Sequence, residues 1–191
     1  ASIALVIGSE YIISALFGYG SFNEVDVENS AKALYFFAFG LPAFSLIKIF
    51  SSFFFANLNT KTPFYISLFS VVLNIVISLY YFKEIGFIII PIATSVSSWI
   101  NGILLFIFLK KDNLFSFNKE FYSRFIKIIF ISVLMGVLFN FLLICFKDQL
   151  AFEQNMKSFY LILSVMMGLL FYLIISYWIK AFKISEFKLN Y

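Results

Sequence analysis

The 191-residue sequence has no histidine, a single cysteine and few charges: Asp, Glu, Lys and Arg together make up 13% of it. Without histidine there is no imidazole base, and the usual His/Cys metal sites are absent. One thiol cannot form an intramolecular disulfide. Cys145 lies inside an apolar run and reads as a small buried apolar residue. No paired carboxylates fall within the apolar runs, so the sequence argues against catalysis such as acyl or glycosyl transfer, and it calls for no cofactor. The shortage of charge excludes more. A soluble domain is about half apolar and about a quarter charged, whereas hydrophobic residues make up 62% of this chain. No globular fold of this size hides that much apolar surface from water, so its solvent is lipid.

What the sequence has instead is a series of long apolar runs. The 29 Phe and 11 Tyr residues read as the mark of an AT-rich genome rather than of a demand for aromatics. Five runs approach the roughly 20 residues needed to cross hydrocarbon: 31–56, 64–82, 87–109, 125–146 and 158–179. They are continuous and lack period-2 alternation, so they predict helices rather than barrel strands. The expected fold is all-α, a polytopic transmembrane bundle forming a single domain. Ala1–Gly8 is apolar but too short to span, and no basic segment of a signal peptide accompanies it; it reads as the tail of a sixth helix whose preceding residues are missing. Residues 10–18 suggest a short amphipathic helix in the interface, with Glu10 wet and Gly18 and Gly20 ending it. Asn23–Ser30 carries Glu24, Asp26 and Glu28 and reads as an exposed acidic loop.

The net charge is +4, but the cations are spread along the connections rather than clustered on a face, which argues against nucleic acid. They set topology instead. Lys61, Lys110, Lys111, Lys119, Arg124, Lys127, Lys180, Lys183 and Lys188 fall on one side, and Lys32, Lys83, Lys147 and Lys157 on the other. The richer side belongs in the cytoplasm, so the chain should start and end inside, with Ile184–Tyr191 cytoplasmic and the acidic loop outside.

Polar groups inside the runs are the candidate functional residues, because they are costly in lipid. Lys48 lies about 12 Å from the end of its run at 1.5 Å per residue, so it either snorkels to the interface or lines a cavity that receives an anion. Pro42, six positions earlier, should kink the same helix. Asn74, Asn101 and Asn140 occupy three different runs; each is expected to hydrogen-bond between helices, with Asn74 and Asn101 as the alternative lining of a polar path. Thr94, Ser98 and Gly102, spaced by four, suit close helix packing. The last two runs are apolar nearly all round, fitting either lipid or a groove for a long isoprenoid chain.

Several short motifs lie in order along the chain. Leu16-Phe17-Gly18-Tyr19-Gly20-Ser21-Phe22 precedes the acidic stretch, Ala33-Leu34 and Gly40-Leu41 follow on the next helix, and Asn59-Thr60-Lys61-Thr62-Pro63 joins two helices. Phe182-Lys183-Ile184-Ser185-Glu186-Phe187 closes the sequence. Together these resemble the bacterial lipid II flippase family MurJ (also MviN), of the multidrug/oligosaccharidyl-lipid/polysaccharide exporter superfamily. The first motif is similar to the family's LF-x-x-G-x-F element. The Asn59–Pro63 loop is similar to its D-T-[KR]-T-P loop, with Asn59 standing where the family usually has Asp. The motif match runs from Leu16 to Phe64, and beyond it helix order carries the resemblance.

The resemblance implies the C-terminal part of a fourteen-helix protein of the inner membrane, with the family's pyrophosphate-binding arginines outside this chain. It implies movement of undecaprenyl-linked peptidoglycan precursor between leaflets by alternating access of two lobes, with membrane lipids as the other partners. It also implies a lipid-tail groove along the last two helices, for which Phe139, Leu142, Met166 and Leu170 are the candidates. A related polysaccharide-lipid or multidrug exporter, and a non-transporting structural subunit, are the competing readings.

Overall fold

The computed structural model describes residues 1–111 and 119–179. The first correction to the sequence reading comes at the acidic stretch. Asn23–Ser30 is not a loop but the start of the longest helix, α2 (Glu24–Ala56). The Asn23 side chain accepts from the Asp26 backbone N–H, and the Asp26 carboxylate accepts from the Asn23 N–H, a reciprocal cap that satisfies two otherwise unpaired donors. Glu24 and Asp26 sit in the first turn, where the helix dipole favours anions. One turn further on, Lys32 pairs with Glu28 at 2.6 Å across positions i and i+4. Thirty-three residues make a helix of about 50 Å, longer than the roughly 30 Å hydrocarbon core, which leaves room for this acidic end in the headgroup region.

The second correction concerns the start of the chain. The apolar tail and the amphipathic segment join in one helix, α1 (Ser2–Phe17), packed between α2 and two later helices rather than lying apart on a surface. Nothing between Gly8 and Glu10 breaks it: a single glycine costs a helix about 1 kcal/mol, less than the packing it allows here. At Gly8 the backbone comes so close to Phe139 that an added Cβ would stand 2.8 Å from the ring.

After the α2 end, α3 (Lys61–Ile85) runs to Gly86, a 3-10 turn covers Gly86–Ile88, and α4 (Ile89–Lys111) returns alongside α3. Gly86 has φ +73° and ψ −152°, a region that side chains other than glycine's avoid, and this is what allows so tight a reversal. The 51-residue apolar stretch Lys61–Lys111 thus folds into two adjacent helices. Then come α5 (Lys119–Cys145) and α6 (Lys157–Trp178), a second hairpin. Glu24–Ala56, Phe121–Cys145 and Lys157–Trp178 are also long and apolar enough to cross a membrane.

The helices fall into two groups, α2–α3–α4 and α5–α6, and α1 touches both. Phe50, Phe54, Ile66, Leu105 and Leu109 form the core of the first group. Ala15, Met135, Phe139, Leu143, Leu150 and Leu161 form the core between α1, α5 and α6. The outward faces stay apolar: Val137, Ile144 and Ile174 are all more than half exposed. Cys145 belongs to this outer surface and is not buried, because the α5 face turned inward is the one carrying Phe139 and Leu143. The closing motif Phe182–Phe187 and the terminal segment Ile184–Tyr191 lie outside the described residues.

Candidate functional site

Between α2, α3 and α4 lies a cleft of about 390 Å³, lined by Asn74, Thr94, Ser97, Ser98 and Asn101 together with Ser67 and Ser70. Asn74 Nδ2 donates to Thr94 Oγ1 at 3.0 Å and to Ser97 Oγ at 3.3 Å, so it ties α3 to α4. Thr94, Ser97 and Ser98 each also bond back to a carbonyl of their own helix. Asn101 is buried, and its Oδ1 has no hydrogen-bond partner among the described residues. The cleft therefore joins Asn74 and Asn101, two of the three residues expected to line a cavity. Lys48 is exposed on α2 and is not among the lining residues.

Small residues on α4 bring α2 close at Gly102, whereas Thr94 of the same stripe bonds Asn74 of α3. A Cβ on Gly102 would meet Ala43 O and Ile47 at 3.9 and 3.8 Å. The tighter approach is at Gly40, where an added Cβ would stand 2.8 Å from Ser95 Oγ. Here α4 also supplies donors to α2 carbonyls: Ser95 Oγ to Phe36 O at 2.6 Å and Trp99 Nε1 to Phe39 O at 2.9 Å. Both carbonyls lie in the turns before Pro42, whose missing N–H leaves Ala38 O, a different carbonyl, without its helical partner.

The Asn59–Pro63 loop is a helix corner. Leu58, with φ +56°, turns the chain out of α2, and Asn59 Oδ1 then accepts from the Thr62 N–H at 3.2 Å while its Nδ2 donates to Thr62 Oγ1 at 3.0 Å. Pro63 lies in the first turn of α3, where a missing N–H costs nothing. The oxygen is the capping atom, and an Asp carboxylate could supply it equally well. Asn59→Ala should lower stability by about 1 kcal/mol, and Asn59→Asp should preserve it. Thermal unfolding in detergent measures both.

A second cavity, about 450 Å³, opens between α1, α5 and α6 and is lined by Ala1, Ala4, Ser132, Met135, Phe139, Val165, Gly168, Leu169 and Tyr172. Its walls are almost wholly apolar. Of the four groove candidates, Phe139 lines it and is 1% exposed. Leu142 is partly buried one turn away, and Met166 and Leu170 are about half exposed on the outer face of α6. Residues of this cavity wall that the sequence did not single out include Met135, Gly168 and Leu169. Asn140 is exposed in a shallow cleft beside Ile3, Ile7 and Gly136, with no interhelical hydrogen bond among those described.

At the far end of this helix trio the first motif meets the start of α6. Lys157, counted from the sequence as a loop cation, is 1% exposed, and its Nζ donates to Gly18 O at 2.6 Å and to Phe152 O at 2.7 Å. A lysine at the edge of an apolar run usually signals an interface, so the sequence carried little hint of this burial. Among the described residues no group of three Cys, Asp or Glu side chains stands close enough to hold a metal.

Comparison with known proteins agrees with these features. The model of the family described as "Lipid II flippase MurJ" matches residues 1–191. A Thermotoga maritima protein named "Probable lipid II flippase MurJ" is 35% identical over 188 residues, which is 98% of this chain and 36% of that protein. A Rickettsia prowazekii protein of the same name is 37% identical over 113 residues, 59% of this chain and 22% of its own length. A solved structure described as lipid II flippase MurJ in an inward closed conformation superposes with a TM-score of 0.69 at 23% identity, covering 92% of this chain and 34% of the other. The chain thus spans about a third of the length of the relatives it matches most fully, and it shares the fold of that structure. With a family match across every residue, the chain belongs to the MurJ lipid II flippase family.

Proposed function

We propose that this chain is the C-terminal third of a lipid II flippase of the bacterial inner membrane, a transporter rather than an enzyme. It moves undecaprenyl-linked peptidoglycan precursor from the cytoplasmic to the outer leaflet for cell-wall synthesis. The observation that carries this reading is the family match along the whole chain. The apolar cavity between α1, α5 and α6 supports it, because a polyprenyl tail needs a dry wall along its path. Dragging a sugar-pyrophosphate head through bare hydrocarbon would cost many kcal/mol. Alternating access of two lobes, with the tail left beside α5 and α6, lowers that barrier. The charge distribution supports a cytoplasmic C-terminus and an outward α2 start.

Depletion of the full-length protein tests the substrate. Lipid II should accumulate in the inner leaflet and cell shape should fail. Accumulation of a different polyprenyl-linked glycan, with lipid II unchanged, would move the protein to the related exporters. Unimpaired growth would leave only a structural role. Cysteine labelling at Ser21 from the outside of intact cells checks the topology, and protection there would reverse it.

A further inference from the structure

Lys157 is the costliest side chain that the described residues bury, and flipping a lipid does not by itself call for it at this place. Among the described residues no carboxylate pairs with it. Its charge is held by the Gly18 and Phe152 carbonyls and lies 4.3 Å from the Tyr19 ring centroid and 4.5 Å from that of Phe152. As the first residue of α6 it opposes that helix's own dipole. What compensates is the carbonyl end of α1, whose partial charge is negative. Ser158 completes the joint, donating to Ala15 O at 2.6 Å and lying 2.7 Å from the Tyr19 hydroxyl.

Among the described helices, α5 and α6 pack on each other and on α1, and on no other helix. Phe152, in their connection, packs on the Ile13–Val27–Ala31 cluster, again beside Lys157. At the opposite end Lys127 Nζ donates to Ile179 O at 3.2 Å, which ties α5 to α6 but not to α1. The apolar cavity opens toward that end, where Ala1 and Ala4 form its α1 wall.

We propose that Lys157 is a positioning residue: it pins the hairpin to α1 at one end, so that the apolar cleft widens or narrows only at the other. The functional half of this inference rests on the reading of that cleft as the seat of the lipid tail. The experiment uses the full-length protein in nanodiscs, in a cysteine-free background, with spin labels at the exposed Ser21 and Glu153. Pulsed electron-electron distances are read for Lys157→Gln and Lys157→Arg, and for Tyr19→Leu as a milder change should the first variant fold poorly. The same variants are exposed to a photoreactive polyprenyl phosphate. Lys157→Gln should broaden the label distances and reduce photolabelling of α5 and α6 more than about tenfold, the size expected for losing a charged hydrogen bond. Tyr19→Leu should do the same more weakly, and Lys157→Arg should keep both near wild type. Distances that stay narrow in both Lys157→Gln and Tyr19→Leu overturn the joint. Broadened distances with unchanged photolabelling overturn its role in shaping the cleft. If the wild-type protein itself is not labelled on these helices, the tail-groove reading fails, and the joint is then judged on the distances alone.

Discussion

Gly168→Phe should cut transport at least tenfold while leaving the protein folded. Gly168 lies on the wall of the α1–α5–α6 cavity, and a Cβ added there would be 3.8 Å from Met135 Sδ and 3.9 Å from Phe139 Cδ2, ordinary contact distances. The backbone therefore accepts a side chain, and a phenyl ring grows into space that the proposed tail would occupy. A polyprenyl chain gains little by leaving lipid for an apolar cavity, because both are equally dry, so its seat there depends on fit. Blocking the fit should cut flipping at least tenfold, about 1.4 kcal/mol in the barrier. Gly168→Ala is the control: it leaves most of the cavity open and favours the helix by about 1 kcal/mol. Flipping of a fluorescent polyprenyl-linked substrate in proteoliposomes measures both. Equal activity of Gly168→Phe and wild type would remove this cavity from the transport path.

The second large effect is expected at Gly18, and it falls on stability. Its φ is −70°, so the constraint is not a left-handed backbone but lack of room. A Cβ would stand 2.5 Å from Ser14 O, 2.9 Å from Phe152 Cε2 and 3.1 Å from Lys157 Nζ. The first of these is backbone, which cannot step aside as a flexible side-chain tip can. Gly18→Ala should therefore destabilise by about 3 kcal/mol, combining overpacking with a strained or lost bond to a buried ammonium. The thermal midpoint in detergent should fall by several degrees. Gly20→Ala provides the contrast: nothing lies within 4 Å of its added Cβ, and only the φ of +65° resists, a smaller penalty. A Gly18→Ala protein as stable as wild type would mean that this turn can relax in a way the packing around Phe152 does not suggest.

Much of the architecture was legible in the runs themselves. Their length and continuity predicted long helices without strands, and the Thr94–Ser98–Gly102 spacing suggested a close helix neighbour, which α2 is at Gly102. The errors fell where local chemistry competed with composition. Acidic residues in Asn23–Ser30 suggested a wet loop, but Asn23 with Asp26 three positions later is a helix-start signature, and the same charges favour a helix N-terminus. The split of α1 at Gly8 gave too much weight to one glycine. At the candidate sites, Asn74 was readable as an interhelical donor because an amide in an apolar run must find a partner. Met166 and Leu170 could not be told from Gly168 and Leu169, since an α6 that is apolar all round carries no stripe to say which face turns inward.

The sequence alone determined the solvent, the all-helical class and, through its motifs, the family. These follow from the transfer of whole apolar segments and from short-range capping, both of which depend on residues near each other in the chain. Tertiary structure alone decided that Lys157 is buried, that the start of α6 caps the end of α1, and that an apolar cavity lies between α1, α5 and α6. Each of those joins residues more than a hundred positions apart, and in a bundle greasy on every face only the packing selects which neighbours meet.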